Sequence, residues 1–302
     1  MEEARRHARV GPALRRALGL GLRMLPGDAP GAIYTTLLRP APLRAVTNRV
    51  LRRLIPAEIA LPEGMLHLNP DDPVVSGALA LGVYERQVSV RFRAEVRPGM
   101  TVVDVGANLG YYSVIALGRS APAGRLIAFE PDPANHALLL RNLRPFGDRA
   151  TVLRRAVAAA PGTLTLHRHR DDKGKHSVFA APDLDAGISV ESVTLDAALL
   201  DLGRPRVDVI KLDVEGAEPL ALAGVSETLA QYRPSIFFGC APRRWARAGF
   251  DPVAVLGRLK NQGYVLFLVG EGGGADTPVE PAALPKRLRG RDPYVNLIAR
   301  HR

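Results

Sequence analysis

The chain has 302 residues and a net charge of +11 that is unevenly placed: residues 1–56 carry eleven Arg against three acidic residues, residues 285–302 carry six basic residues against Asp292, and the stretch between them carries 24 basic and 26 acidic residues. A near-neutral body between two basic ends argues against a body built to grip nucleic acid, which needs a basic face. With 47% hydrophobic residues there is ample material for a core, and the single cysteine, Cys240, excludes an intramolecular disulfide and a cysteine metal cluster.

In chain order, Val10, Leu14, Leu18, Leu22 and Leu25 recur at helical spacing, with Arg9, Arg16 and Arg23 away from that face. Pro26-Gly27 and Pro30-Gly31 then break the chain. Leu43, Val46, Val50 and Leu54 repeat the pattern among Arg44, Arg49, Arg52 and Arg53. Two readings stay open for this basic amphipathic extension, residues 1–58. It rests peripherally on an anionic membrane surface, or it packs on the body with Arg facing water. The apolar stretch Ala17–Leu22 falls short of the ~7–15 residues of an export signal. No run approaches the ~18 apolar residues of a membrane-spanning helix. A reducing, cytoplasmic location follows, with the inner membrane face as the alternative site of contact.

Residues 59–302 read as one α/β domain. After the turn Pro98-Gly99, Thr101–Val105 is a β-branched strand, and a glycine loop leads into a helix near Tyr111. Arg125–Phe129 is a second strand; Asp132–Leu143 is a helix with Asp132 as N-cap and Pro133 at its first position. Thr151–Val157, Val207–Leu212, Ser235–Phe238, Tyr264–Val269 and Tyr294–Ala299 complete the series, with extra β segments at Thr163–His169 and Val190–Leu195. Strands alternating with helices imply a Rossmann-like, doubly wound, mostly parallel sheet.

In such a sheet the ligand lies beyond the carboxyl ends of the strands. Gly106 and Gly110 suit close backbone approach there, but the spacing is not Gly-x-Gly-x-x-Gly, and no Walker loop follows. Pyrophosphate is therefore disfavoured. Glu130, ending the second strand, is placed to accept hydrogen bonds from a ribose diol. A ligand with adenosine, a cationic centre and no phosphate is S-adenosylmethionine.

Three stretches carry a family resemblance: Val103-Asp104-Val105-Gly106-Ala107-Asn108-Leu109-Gly110-Tyr111-Tyr112-Ser113, Phe129-Glu130-Pro131-Asp132-Pro133, and Lys211-Leu212-Asp213-Val214-Glu215-Gly216-Ala217-Glu218. Over about residues 82–270 the chain resembles the FkbM-type family of class I S-adenosylmethionine-dependent methyltransferases. The resemblance implies a seven-stranded sheet, S-adenosylmethionine as cofactor, and O-methylation of a sugar, glycan or secondary metabolite. It also implies a cofactor shell of Tyr84, Glu85, Asp104, Gly106, Asn108, Gly110, Tyr111, Glu130, Pro131 and Asp213. One departure stands out: where the family resemblance implies an acid after the fifth strand, this chain has Gly239-Cys240.

Asp213 and Glu215, at the carboxyl end of the fourth strand, are the first candidates for a base toward an acceptor hydroxyl. His176, in the polar loop Asp171–Ser177, is a third. His167 and His169 alternate on a strand with no third ligand, so no metal site is assigned. Cys240 lacks an assisting base, and Trp245 reads as packing. The expected partner is a small-molecule or glycan acceptor rather than a nucleic acid. The competing readings are a nucleic-acid methyltransferase and a non-catalytic, cofactor-binding relative.

Overall fold

The computed structural model describes residues 15–22, 24, 41–169, 172–270, 273–288 and 294–302. Val10, Leu14 and Leu25 of the expected first helix lie outside them, as do Arg9, Arg23 and Asp171. Residues 15–22 are helical, and helix α1 spans Ala41–Leu54. A hairpin of β1 (Glu58–Leu61) and β2 (Gly64–His67) follows, then α2 (Val75–Leu81) and α3 (Arg86–Glu95). The alternating body comprises β3 (Thr101–Val105), α4 (Tyr111–Arg119), β4 (Arg125–Phe129), α5 (Pro133–Leu143) and β5 (Ala150–Leu153). Next come β6 (Ala156–Val157), β7 (Gly162–Leu166), β8 (Ile188–Val193), α6 (Leu195–Asp201), β9 (Val209–Leu212), α7 (Glu218–Ala223), α8 (Ser226–Tyr232) and β10 (Ser235–Cys240). The chain closes with α9 (Pro242–Arg247), α10 (Pro252–Asn261), β11 (Tyr264–Leu268), β12 (Thr277–Pro278), α11 (Leu284–Arg287) and β13 (Val295–His301).

The main sheet has the order β12-β11-β13-β10-β9-β3-β4-β5. Pairs β10/β9, β9/β3, β3/β4 and β4/β5 are parallel, while β13 runs antiparallel between β10 and β11. Seven principal strands thus form the expected mostly parallel sheet, and the two-residue β12 pairs onto its edge. The chain winds outward from β3 through β4 to β5, then returns to β9 on the other side of β3. Between β3 and β9 lies the switch point where such sheets bind ligands.

Strand alternation sends side chains to two cores. Val103, Val105, Ile210, Leu212, Ile236 and Phe238 pack with Leu199, Leu229, Trp245 and Leu256 on one face. Val102, Val209, Phe237 and Ile298 meet Phe92, Tyr112, Ile115 and Leu139 on the other. Both faces of the sheet are covered, as parallel sheets require, which is why the strands read as apolar runs rather than alternating ones. Asp132 caps α5 as expected, accepting from the backbone N–H groups of Ala134 and Asn135 at 2.9 and 3.0 Å.

Two expectations are corrected. The third strand is not continuous over Thr151–Val157: β5 ends at Leu153 and β6 begins at Ala156, in a separate sheet of order β6-β8-β7. The charged pair Arg154-Arg155 interrupts the apolar run, and Arg155 reaches Glu191 of β8 at 3.0 Å. In α1 the apolar stripe does not pack as a unit. Leu54 and Asn48 are buried, and Leu51 stands 4.0 Å from a Cβ built on Gly77 of α2, whereas Leu43, Val46 and Val50 face outward. Among the described residues no helix is long and apolar enough to cross a membrane.

Candidate active site

A cleft of about 700 Å³ opens at the switch point, within the range of small-molecule sites. One side is backbone. Gly106 and Ala107 both donate to the carbonyl oxygen of Phe129, at 2.9 and 3.0 Å, pinning the loop after β3 to the end of β4. Gly106 has φ +79°, and a Cβ there would run into the carbonyl oxygen of Asp213, so the two strand ends meet only because the residue is glycine. Asn108 follows with φ +51°, a left-handed conformation that asparagine tolerates better than most residues.

Nine of the ten residues expected around the cofactor line this cleft: Tyr84, Glu85, Asp104, Gly106, Asn108, Tyr111, Glu130, Pro131 and Asp213. Gly110 does not. It starts α4 at φ +97°, where a Cβ would stand 2.7 Å from Leu139 Cδ1, so its part is in shaping the turn. Glu130 is buried, its oxygens accepting from Asn108 N at 2.8 Å and Asp132 N at 2.9 Å. Burial outweighs these bonds and raises its carboxyl to about 8. Each carboxylate oxygen keeps a further lone pair for a ligand. Asp104 accepts from Ser113 Oγ at 2.6 Å, and burial lifts it to about 6. Tyr112 Oη donates to Glu85 Oε2 at 2.6 Å, holding Glu85 on the wall.

The other side is made of side chains. Lys211, fully buried on β9, reaches Asp213 Oδ2 at 3.0 Å and lies 4.8 Å from the centre of the Tyr112 ring. Asp213 therefore serves as the partner of a buried cation. Glu215, at φ +47°, pairs with Arg244 Nη1 through Oε2 at 2.9 Å. Desolvation and the neighbouring Asp213 raise its carboxyl to about 8, against the pull of Arg244.

The loop residues Asp172, Lys173, Gly174, Lys175 and His176 line the same cleft. The Lys173 carbonyl oxygen accepts from Asn108 Nδ2 at 3.3 Å and Asn135 Nδ2 at 3.2 Å, and Ser177 Oγ donates to the Glu215 carbonyl oxygen at 3.2 Å. The loop thus bridges both sides. His176 is not available as a base: its Nδ1 accepts from the backbone N–H of His169 at 3.2 Å, and its Nε2 lies 3.9 Å from Asp132 Oδ2. Burial lowers its pKa, so the ring acts as a neutral strut between loop and helix. His167 and His169 are tied to the facing segment, His167 Nδ1 lying 2.9 Å from the Asp185 carbonyl oxygen and His169 Nε2 lying 3.7 Å from Asp183 Oδ2. Trp245 is packed as expected, and its Nε1 also donates to Glu218 Oε2 at 3.0 Å. Cys240 is buried, and burial pushes its thiol upward, away from a nucleophilic thiolate.

Sequence reasoning missed Arg244 and Tyr294, which line the cleft from α9 and from the residue before β13. Gly239 explains the second. A Cβ built on Gly239 would stand 2.5 Å from Tyr294 Oη, so the glycine makes room for the phenol beside the end of β10. Neither residue sits in a local motif; only the antiparallel pairing of β10 with β13, Gly239 opposite Asn296, brings Tyr294 there.

An open, mostly parallel sheet with one antiparallel strand inserted, a glycine turn after β3 and a carboxylate at the end of β4 define the class I S-adenosylmethionine-dependent methyltransferase fold. Residues 104–266 match the family described as the methyltransferase FkbM domain, and the chain belongs to that family. Its relatives include the 2-O-methyltransferase NoeI of Sinorhizobium fredii, 30% identical over 45% of this chain and 62% of that protein. Another is the 31-O-demethyl-FK506 methyltransferase FkbM of Streptomyces tacrolimicus, 27% identical over 56% of this chain and 75% of that protein. The chain thus matches less than two thirds of the length of NoeI. A solved structure of a methyltransferase FkbM from Methylobacillus flagellatus aligns with 86% of this chain and 60% of that one, at 17% identity and a TM-score of 0.42.

The cofactor of the family is S-adenosylmethionine, and the residues present fit it. Among the described residues the buried Oδ1 of Asn108 has no hydrogen-bond partner. The turn at Gly106 leaves backbone bare for close approach, and Glu130 stands where a ribose diol is recognised.

Proposed function

We propose that this chain transfers a methyl group from S-adenosylmethionine to a hydroxyl oxygen of an uncharged acceptor, a sugar, glycan or secondary metabolite. The observation that carries the reading is Glu215, held by Arg244 beyond the end of β9, across β3 from the β4 end that carries Glu130, with Tyr294 in the same lining and a carboxyl raised to about 8. S-adenosylmethionine, when bound, supplies a methyl on a sulfonium whose thioether leaves without needing a proton. Glu130, Asn108 and the Gly106 turn would hold that cofactor, and the carboxyls of Asp104 and Asp213, in the same lining, would suit its cationic groups. What remains for the chain is to orient the acceptor, exclude water and remove the hydroxyl proton.

Glu215 takes that proton at Oε1, because Oε2 is engaged by Arg244. Arg244 in turn fixes the carboxylate plane, and the raised pKa makes Glu215 a stronger base than an exposed carboxylate. The loop from Asp172 to Ser177 screens the site from solvent. The lining supports an uncharged acceptor: with Glu130 and Glu215 raised to about 8, the carboxylates Glu85, Asp104, Asp172 and Asp213 balance Arg155, Lys173, Lys175 and Arg244, which leaves no cationic surplus to draw a polyanion. The names of NoeI and FkbM, both O-methyltransferases, point the same way.

The test has two arms. Calorimetry with S-adenosylhomocysteine should show binding to the wild-type protein. A panel of hydroxylated sugars, phenols and polyketides with labelled cofactor should then yield an O-methylated product by mass spectrometry. Cofactor binding with no product across the panel would favour a non-catalytic relative, and label appearing only in RNA would overturn the acceptor class.

A further inference from the structure

We infer that α1, together with the helical stretch at residues 15–22, forms a docking face for an anionic lipid bilayer. Thirteen large apolar side chains are exposed among the described residues, and six of them (Leu18, Leu20, Met24, Leu43, Val46 and Val50) belong to the few described residues before Ile55. The much larger body holds the other seven. Apolar exposure is therefore concentrated where the basic charge is, since residues 1–56 carry eleven Arg against three acidic residues.

The arrangement on α1 is specific. The helix turns Leu51, Leu54 and Asn48 to the body, Leu51 against Gly77 of α2. The adjoining arc, beside Leu54, carries Leu43, Val46 and Val50, and beyond them Arg49 and Arg53 are exposed one turn from Val46 and Val50. The sequence of the helix contains four Arg and no acidic residue. An interfacial helix needs this pairing: apolar side chains that sink to the acyl boundary, and guanidinium groups that stay with anionic headgroups.

Other occupants fit less well. A nucleic acid would neutralise the arginines but give the apolar side chains no partner. A second copy would bring the same patch against itself, setting one arginine-bearing face against another with no acidic residue on the helix to pair with. A bilayer of anionic lipid satisfies both halves of the face. The consequence reaches the cleft, because α1 packs on α2, whose first residue, Val75, lines the cleft. One helix separates the bilayer from the site, which suits an acceptor presented at a membrane surface. The docking face itself does not depend on the methyl-transfer reading.

The experiment is co-sedimentation of the full chain with vesicles of phosphatidylcholine alone or with an equal share of phosphatidylglycerol. Binding is expected only to the anionic vesicles and should weaken as salt rises. Arg49→Gln with Arg53→Gln should lower affinity about 30-fold, at about fivefold per arginine. Val46→Asp with Val50→Asp should abolish co-sedimentation while leaving the circular-dichroism melting curve in place. Absence of binding to phosphatidylglycerol vesicles at low salt overturns the proposal, as does binding that both double variants leave intact. A concentration-dependent dimer in sedimentation velocity that Val46→Asp dissociates would assign the face to a second copy instead.

Discussion

The two shores of the cleft are built from different materials. On the cofactor shore the recognition groups lie close together in sequence, from Asp104 to Tyr111 with Glu130 one strand on, and much of the surface is backbone shaped by Gly106 and Asn108. On the proposed acceptor shore Glu215, Arg244 and Tyr294 are side chains from three distant segments. A ligand shared by a whole family can be met by a backbone turn, which is insensitive to side-chain drift. An acceptor that varies between relatives is better met by side chains, each replaceable without disturbing the sheet. Substitutions on the two shores should therefore fail differently, and four of them test that.

The largest effect is expected from Glu215→Gln, which keeps the shape and the contact to Arg244 but cannot take a proton. Turnover should fall about 10²–10⁴-fold, with affinity for S-adenosylhomocysteine held within about threefold. The pH profile gives an independent readout. A base works only when ionised, and a carboxyl raised to about 8 ionises late, so wild-type turnover should climb toward pH 8 and level off above it. That climb should vanish in the variant. A profile flat between pH 6 and 8 in the wild type would remove Glu215 from the proton transfer.

Next comes Gly106→Val, the corresponding break on the backbone shore. The new side chain meets the Asp213 carbonyl oxygen in a left-handed conformation, so turn and strand end must part. A cost of about 3 kcal/mol would appear as a lowered melting temperature, and affinity for S-adenosylhomocysteine should drop by about 100-fold. Retained affinity would show that the turn is not the cradle.

Glu130→Ala is milder. Losing the two hydrogen bonds of a ribose diol to this carboxyl costs about 1–3 kcal/mol, or roughly 5–150-fold in cofactor affinity. The N–H groups of Asn108 and Asp132 also lose their acceptor, so thermal stability should fall in parallel. Calorimetry showing unchanged affinity would refute the ribose assignment.

The smallest effect belongs to Gly239→Ala. The added methyl presses on the far end of Tyr294, a movable side chain, so stability should change little. The KM for the acceptor should rise about threefold to tenfold with cofactor affinity unchanged. Should cofactor binding weaken equally, the two shores would not be separable at this point.

These residues also show how far the linear chain could be read. The cleft wall from Asp104 to Glu130 was legible because its constraints are local: a glycine turn must follow its strand immediately, and Glu130 must end the next one. Asp132 as an N-cap was legible for the same reason, since a cap acts within three residues. Asp213 and Glu215 were located, but not which cation each meets, Lys211 for Asp213 and Arg244 for Glu215, because an ion pair leaves no mark in sequence spacing. His176 looked like a base and proved a strut, a role set by the backbone N–H of His169 reaching its ring. The third strand was read too long because edge pairing, and not propensity, decided where β5 stopped. The departure at Gly239 was visible as a missing acid; that Tyr294 fills the space depended on β13 inserting beside β10.

The order of strands and helices, the glycine turn, the carboxylate at the end of β4 and the separation of basic ends from a neutral body were determined by the sequence alone, because each is a property of neighbouring residues or of composition. Tertiary structure alone decided which side chains meet across the cleft, which protons its carboxyls keep and which face of α1 stays bare. Those outcomes depend on distance and desolvation, and they exist only once β3, β9, β10 and β13 lie side by side.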